Sequence, residues 1–163
     1  MHMRDPFERT FFVTTVTWGR RSLFQSDRIS NFFLGVLMEY RNKRLFRLHE
    51  FVLMPDHLHL LITPSRTISL EKSVQYIKGG FSHRYRSEFR SRLEFWEKSF
   101  TNHRIRDAED YDRHRNYIHL NPVRAGLAER PMDYPYSSAN PVFILDSATA
   151  PEGASLMSAM SRP

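Results

Sequence analysis

Apolar and polar positions recur along this chain at two different periods, and the switches between them mark its elements. Residues 10–18 (Thr-Phe-Phe-Val-Thr-Thr-Val-Thr-Trp) are β-branched and aromatic and predict a strand, closed by Gly19-Arg20-Arg21. Asp27 is a candidate N-cap. Ile29, Phe32, Phe33, Val36, Leu37 and Tyr40 then follow helical spacing, which predicts a helix to about residue 44. A second strand is expected over 45–54, with Phe46, Leu48 and Val52 alternating against Arg47, His49 and Phe51. Pro55 has the fixed φ of a tight turn over 54–57, so a third strand over 57–63 should return antiparallel to the second. Leu70, Val74, Ile77, Phe81 and Tyr85 predict a helix from about residue 69. Gly79-Gly80 interrupts that pattern at roughly 1 kcal/mol each, and marks a kink or a close approach by another backbone.

A weaker fourth strand is expected over 96–105. Asp107 then caps a third helix, with Glu109 and Asp110 favourably placed in its first turn. Asn121-Pro122 should end or bend that helix, because the residue before proline avoids helical angles. Tyr134-Pro135-Tyr136-Ser137-Ser138 reads as a loop over the core, and 146–163 as a flexible tail, which leaves 1–145 as one domain. The order strand, helix, strand, strand, helix, strand predicts an α+β fold. It is a ferredoxin-like βαββαβ antiparallel sheet with an additional C-terminal helix. The two main helices should cover one face of the sheet, and the extra helix the other.

Composition narrows the function classes. The 163 residues suffice for one sizeable core. No run of about 18 apolar residues is present, so no membrane partner is expected, and the N-terminus shows no signal-like segment. With no cysteine, disulfides and thiolate metal sites are excluded, which fits a cytoplasmic setting. The formal charge is +6, and Lys43, Lys72, Lys78 and Lys98 are the only lysines, so nearly all the positive charge is arginine. Arginine contacts phosphate bidentately and stacks on bases, which favours a nucleic-acid partner over an ordinary basic surface. Lys78, His83, Arg84, Arg86, Arg90 and Arg92, interleaved with Tyr76, Phe81 and Tyr85, form the candidate phosphate-contacting surface; a solvated basic helix face is the plain alternative.

The most apolar stretch, 51–62, carries the candidate chemistry. On a strand, His57, His59 and Leu61 share one face while Leu58, Leu60 and Ile62 face the core. The two histidine Cα atoms would then lie about 6.5–7 Å apart, close enough for both rings to reach one cation. Two satisfied histidines on an edge strand are the bland reading. Tyr117 and Asn121, four apart, would share a helix face, so a second element offers a phenol and an amide oxygen together. Asn121 could equally be a turn or cap residue before Pro122, and most of the seven tyrosines must be structural.

His57-Leu58-His59 after Met-Pro-Asp, together with Tyr117 and Asn121 in Tyr-Ile-His-Leu-Asn-Pro-Val-Arg-Ala-Gly-Leu, resembles the single-tyrosine HUH transposases, IS200-like. Within them the likeness is to the REP-associated tyrosine transposases of bacteria, over roughly 11–138. The resemblance implies a metal-dependent endonuclease and transposase that cleaves and rejoins single-stranded DNA with hairpin or palindromic repeats. It implies Mg²⁺ or Mn²⁺, His57 and His59 as metal ligands, and Tyr117 as the nucleophile of a 5′-phosphotyrosine link. Asn121 falls where the group has a third polar ligand, with His114, one turn before Tyr117, as its rival. Arg20, Arg21, Lys78, Arg84, Arg86, Arg104 and Arg124 are the candidate DNA contacts. A monomer or homodimer in the bacterial cytoplasm, at the nucleoid, is implied. Two competing readings stand beside it. One is a domesticated hairpin-binding protein without activity; the other is a phosphodiesterase that uses a metal-bound hydroxide and leaves Tyr117 in the core.

Overall fold

The structure is a computed structural model that describes residues 5–149. Four strands, β1 (Phe11–Val16), β2 (Phe46–Met54), β3 (His57–Pro64) and β4 (Thr101–Arg104), form one antiparallel sheet in the order β2-β3-β1-β4. Helices α1 (Asp27–Asn42) and α2 (Leu70–Phe89) pack on each other, and α3 (Ala108–Arg124) follows β4. This is the ferredoxin-like α+β arrangement with one added helix. Leu58, Leu60, Ile62 and Val13 are fully buried beneath α1 and α2, where Phe24, Phe33, Phe81, Phe95 and Trp96 interlock edge to face. Burying each such ring contributes roughly 1.5–3 kcal/mol. Phe12, His59 and Glu50 face the opposite way, toward α3.

Several expectations are corrected in detail. The α1 cap is Ser26, whose Oγ accepts the Ile29 N–H at 3.3 Å; Asp27 sits in the first turn and accepts the Tyr136 hydroxyl. Strict alternation fails in β2, because a bulge between Leu48 and Glu50 inserts one residue. Beyond the bulge Phe51 and Leu53 rejoin Phe46 and Leu48 on the α1–α2 side, while Val52 pairs with His59 on the α3 side. α2 runs unbroken through Gly79 and Gly80; a Cβ on Gly80 would run into the Tyr40 hydroxyl, so this glycine lets an α1 side chain, rather than a backbone, approach. β4 is shorter than expected, four residues.

α3 continues past Asn121 to Arg124 with Pro122 buried inside it. Proline removes one intrahelical donor, and only two residues of helix remain to be held beyond it. The end is fixed by a Schellman closure: Gly126, at φ 74°, donates to the Val123 carbonyl at 3.0 Å, and Leu127 donates to that of Pro122 at 2.8 Å. Residues 134–138 cover the exposed edge of β2. Tyr136 and Phe51 carbonyls accept the N–H groups of Leu53 and Ser138, at 2.8 and 2.9 Å, and the Tyr134 hydroxyl donates to Leu53. The expected tail begins with anchored residues: Asp146 pairs with Arg41 at 2.9 Å, accepts the Leu48 N–H, and its carbonyl meets His49 Nδ1. The rest of it, 150–163, lies outside the described residues.

Candidate active site

His57 and His59 lie on β3 beside the tyrosine helix. Their ring centroids are 4.7 Å apart, and that of Tyr117 is 5.3 Å from His59. Phe12, paired across the sheet with Leu61, stacks on His59 at 5.1 Å and meets the Tyr117 ring edge at 6.0 Å. Tyr117 is 43% exposed, so its phenol is open to a large substrate.

Each histidine is oriented by its Nδ1. His57 Nδ1 is 2.7 Å from Asp56 Oδ1, and that carboxylate fixes the proton on Nδ1 and leaves Nε2 with its lone pair. His59 Nδ1 is 2.8 Å from Thr14 Oγ1, its neighbour in the β1–β3 register. His59 Nε2 is buried and has no hydrogen-bond partner among the described residues. A buried polar atom left unpaired is costly, and a cation bound there would satisfy it. Burial, with a smaller contribution from His57, pushes the His59 ring down to about 3, so it stays neutral and able to coordinate at neutral pH. Nitrogen lone pairs backed by hydrogen-bonded Nδ1 atoms are a donor set that suits a divalent metal. The residues present therefore fit such an ion.

The other predicted site residues divide by position. Asn121, half-buried, follows Tyr117 by one turn on α3. His114 lies beyond Phe12, whose ring it meets at 4.7 Å, and belongs to a different cluster. There the donor atoms of His103, Asp110 and His114 lie within 4.8 Å of one another. Asp110 is buried and accepts from His103 Nε2 at 2.7 Å, from the Arg106 N–H at 3.0 Å and from Arg113 at 3.3 Å. Burial would raise this carboxyl, but those bonds and the neighbouring charges outweigh it and hold it well below the ordinary carboxylate range. With the Arg113 guanidinium and, at 3.5 Å, the Arg106 guanidinium already on Asp110, the cluster ties α3 to β4.

Arg20, Arg21 and Arg124 are exposed; Arg20 and Arg124 flank the histidine pair, whereas Arg21 donates to the Trp18 and Glu94 carbonyls. The Arg20 guanidinium is 3.7 Å from Asp56, and that of Arg124 lies 5.8 Å over the Tyr117 ring. Lys78, Arg84 and Arg86 lie on α2, across the sheet from the pair, and each has an intramolecular partner. Lys78 holds the carbonyls of Glu97 and Ser99, Arg84 pairs with Glu39, and Arg86 with Glu94. Arg104, exposed on β4, pairs with Phe11 and also faces the α1–α2 side.

Sequence reasoning missed Thr14, Asp56 and Glu50. Glu50, aimed at α3 by the β2 bulge, accepts from Arg115 at 3.1 Å and His119 at 3.0 Å and from Ser138. Arg115 and His119 sit two residues either side of Tyr117, so Glu50 grips the back of the helix whose front carries the phenol. Asp56 could have been found from its adjacency to His57. Thr14 and Glu50 depend on register and a bulge, which local sequence does not announce.

Comparison with known proteins bears on this site. The family described as "Transposase IS200 like" matches residues 8–121. A provisionally named REP-associated tyrosine transposase of Haemophilus influenzae is 30% identical over 138 residues, with 78% of each chain covered. The REP-associated tyrosine transposase of Escherichia coli is 27% identical over 130 residues, covering 79% of this chain and 75% of that protein. Among solved structures, a REP-associated tyrosine transposase bound to a REP hairpin superposes with a TM-score of 0.70 at 23% identity. That match covers 93% of this chain and 90% of the other.

Proposed function

This chain belongs to the IS200-like transposase family, among the REP-associated tyrosine transposases, and from that premise we propose that it cleaves and rejoins single-stranded DNA beside a hairpin through Tyr117. The observation that carries the reading is the meeting of three groups from two distant elements. His57 and His59 turn toward one face, His59 keeps an unpaired buried Nε2, and the centroids of the His59 and Tyr117 rings lie 5.3 Å apart.

In this reading the Tyr117 oxygen attacks the scissile phosphorus after its proton passes to solvent. The bond from phosphorus to the 3′-oxygen breaks, and that oxygen leaves as a 3′-hydroxyl after taking up a proton. The strand is left joined to Tyr117 through its 5′-phosphate. Attack by a 3′-hydroxyl on this link reverses the exchange, so the phosphodiester is restored without a nucleotide cofactor. Mg²⁺ or Mn²⁺ bound by His57 and His59, with Asn121 as a third ligand, would supply charge that favours the phenolate and polarises the phosphate. Asp56 holds His57 in the tautomer that binding requires, Thr14 orients the His59 ring, and Glu50 holds the helix that presents the phenol. Arg20 and Arg124, exposed on the side of the histidine pair, would contact the flanking phosphates.

The test is cleavage of an end-labelled single strand carrying a hairpin, with Mn²⁺ titrated by calorimetry in parallel. His57→Ala should lose metal affinity and cleavage together. Full cleavage with unchanged Mn²⁺ affinity would overturn the ligand assignment.

A further inference from the structure

Resting on the reading of the site as one for single-stranded DNA, we propose that Trp18 is a stacking seat for an unpaired nucleobase next to the scissile phosphate. Trp18 is 40% exposed, and among the described residues its indole meets no other ring, unlike Trp96, which is buried against Phe24 and Phe33. An exposed indole presents an open aromatic face on which a planar partner can stack.

The turn that presents it is unusually well fixed for a surface segment. Trp18 donates its N–H to the Phe95 carbonyl at 2.8 Å, and Gly19 donates to Glu97 Oε1 at 2.8 Å. The Thr17 hydroxyl bonds the Arg21 carbonyl at 2.6 Å. Gly19 and Arg20 both take left-handed angles, φ 61° and 51°. For Arg20 that conformation is strained, yet it leaves the guanidinium out in solvent beside Asp56. A preorganised aromatic loses little freedom when a base stacks on it.

Location completes the case. Val16 pairs with His57, and Thr17 donates to the Asp56 carbonyl at 2.9 Å, so Trp18 follows directly on the strand that borders the histidine pair. Arg20 and Arg21 follow it in the same turn, both exposed, with Arg21 donating to the Trp18 and Glu94 carbonyls at 3.3 and 3.4 Å. An exposed π-face in a turn that also carries arginine suits a nucleobase with its phosphates. The positive net charge of the chain favours that occupant over another copy of the same basic protein.

The experiment uses the full chain with oligo(dT) and with a hairpin carrying a single-stranded tail, following tryptophan emission and affinity together. Both strands should quench the emission, and Trp18→Phe should abolish that quench while keeping most of the affinity. Trp18→Ala should weaken binding roughly ten- to a hundredfold. An abasic position in the tail should weaken the wild type by a similar factor and leave Trp18→Ala unaffected. Binding without quenching, Trp18→Ala binding as tightly as wild type, or no binding of either strand would overturn the proposal. So would emission that changes with protein concentration alone, which would mark self-association as the use of this face. Covalent adduct formation scored in the same samples separates the two readings. Quenching without adduct supports the stacking seat and counts against strand transfer; adduct without quenching does the reverse.

Discussion

His59 and His49 are both kept neutral by burial, and both put a pH limit on the fold. The His49 ring, between the Asp146 carbonyl at 2.7 Å and Thr63 Oγ1 at 2.8 Å, is pushed down to about 4, mainly by burial. His59 is pushed to about 3 by burial and then by His57. In the unfolded chain such rings take a proton near pH 6.5, so the unfolded state binds more protons between there and the folded values. Stability is therefore full above about pH 6.5 and falls as pH drops toward 4, on the order of 3 kcal/mol for His49 across that window. His49→Gln should flatten the fall in urea midpoint between pH 7 and pH 4.5; an unchanged slope would show that His49 does not carry it. At this scale His57, His59 and Tyr117 were legible as candidates, the His-x-His pair from its spacing on a strand and Tyr117 chiefly from the family resemblance of the motif around it. Their partners were not: Thr14 reaches His59 only through a strand register set 45 residues apart.

The helices show which local signals carry through to packing. Gly79 and Gly80 look alike in sequence, yet a Cβ on Gly79 meets nothing within 4 Å, while one on Gly80 runs into Tyr40. Gly79→Ala should therefore gain up to about 1 kcal/mol from helix propensity, read as a rise in the thermal midpoint. Gly80→Ala should gain less or lose stability, because Tyr40, packed beside Tyr76 and Arg84, has to move. Equal gains at both positions would contradict the close approach. Element order and type followed from periodicity almost throughout, since 2.0 and 3.6 are strong signals in strands and helices this long. What periodicity could not carry was the β2 bulge, which no glycine or proline marks, and the extension of α3 through Pro122. That extension rests on a closure made by Gly126 and Leu127 and on burial against the rest of the fold.

Across the whole molecule, the sheet separates two basic regions that composition alone runs together. Arg20 and Arg124 lie on the side of the histidine pair, whereas Arg84 is paired with Glu39 on the helical layer. If DNA follows the histidine side, Arg20→Ala and Arg124→Ala should each lower the salt slope of hairpin binding by about 1, and Arg84→Ala should leave it unchanged. A lower slope for Arg84→Ala alone would move the DNA path to α2. Sequence counted these arginines but could not sort them, because their pairing depends on which helix faces which. The central claim is that Tyr117 forms the covalent link, and trapping tests it most directly. Labelled single-stranded hairpins from repeats flanking the gene would be incubated with the protein and Mn²⁺, separated on a denaturing gel, and any adduct mapped by mass spectrometry. The account predicts a shifted band carrying a phosphorylated nucleotide on Tyr117, absent with chelator and in Tyr117→Phe, which still binds the hairpin. An adduct that persists in Tyr117→Phe, or maps to another residue, would contradict it.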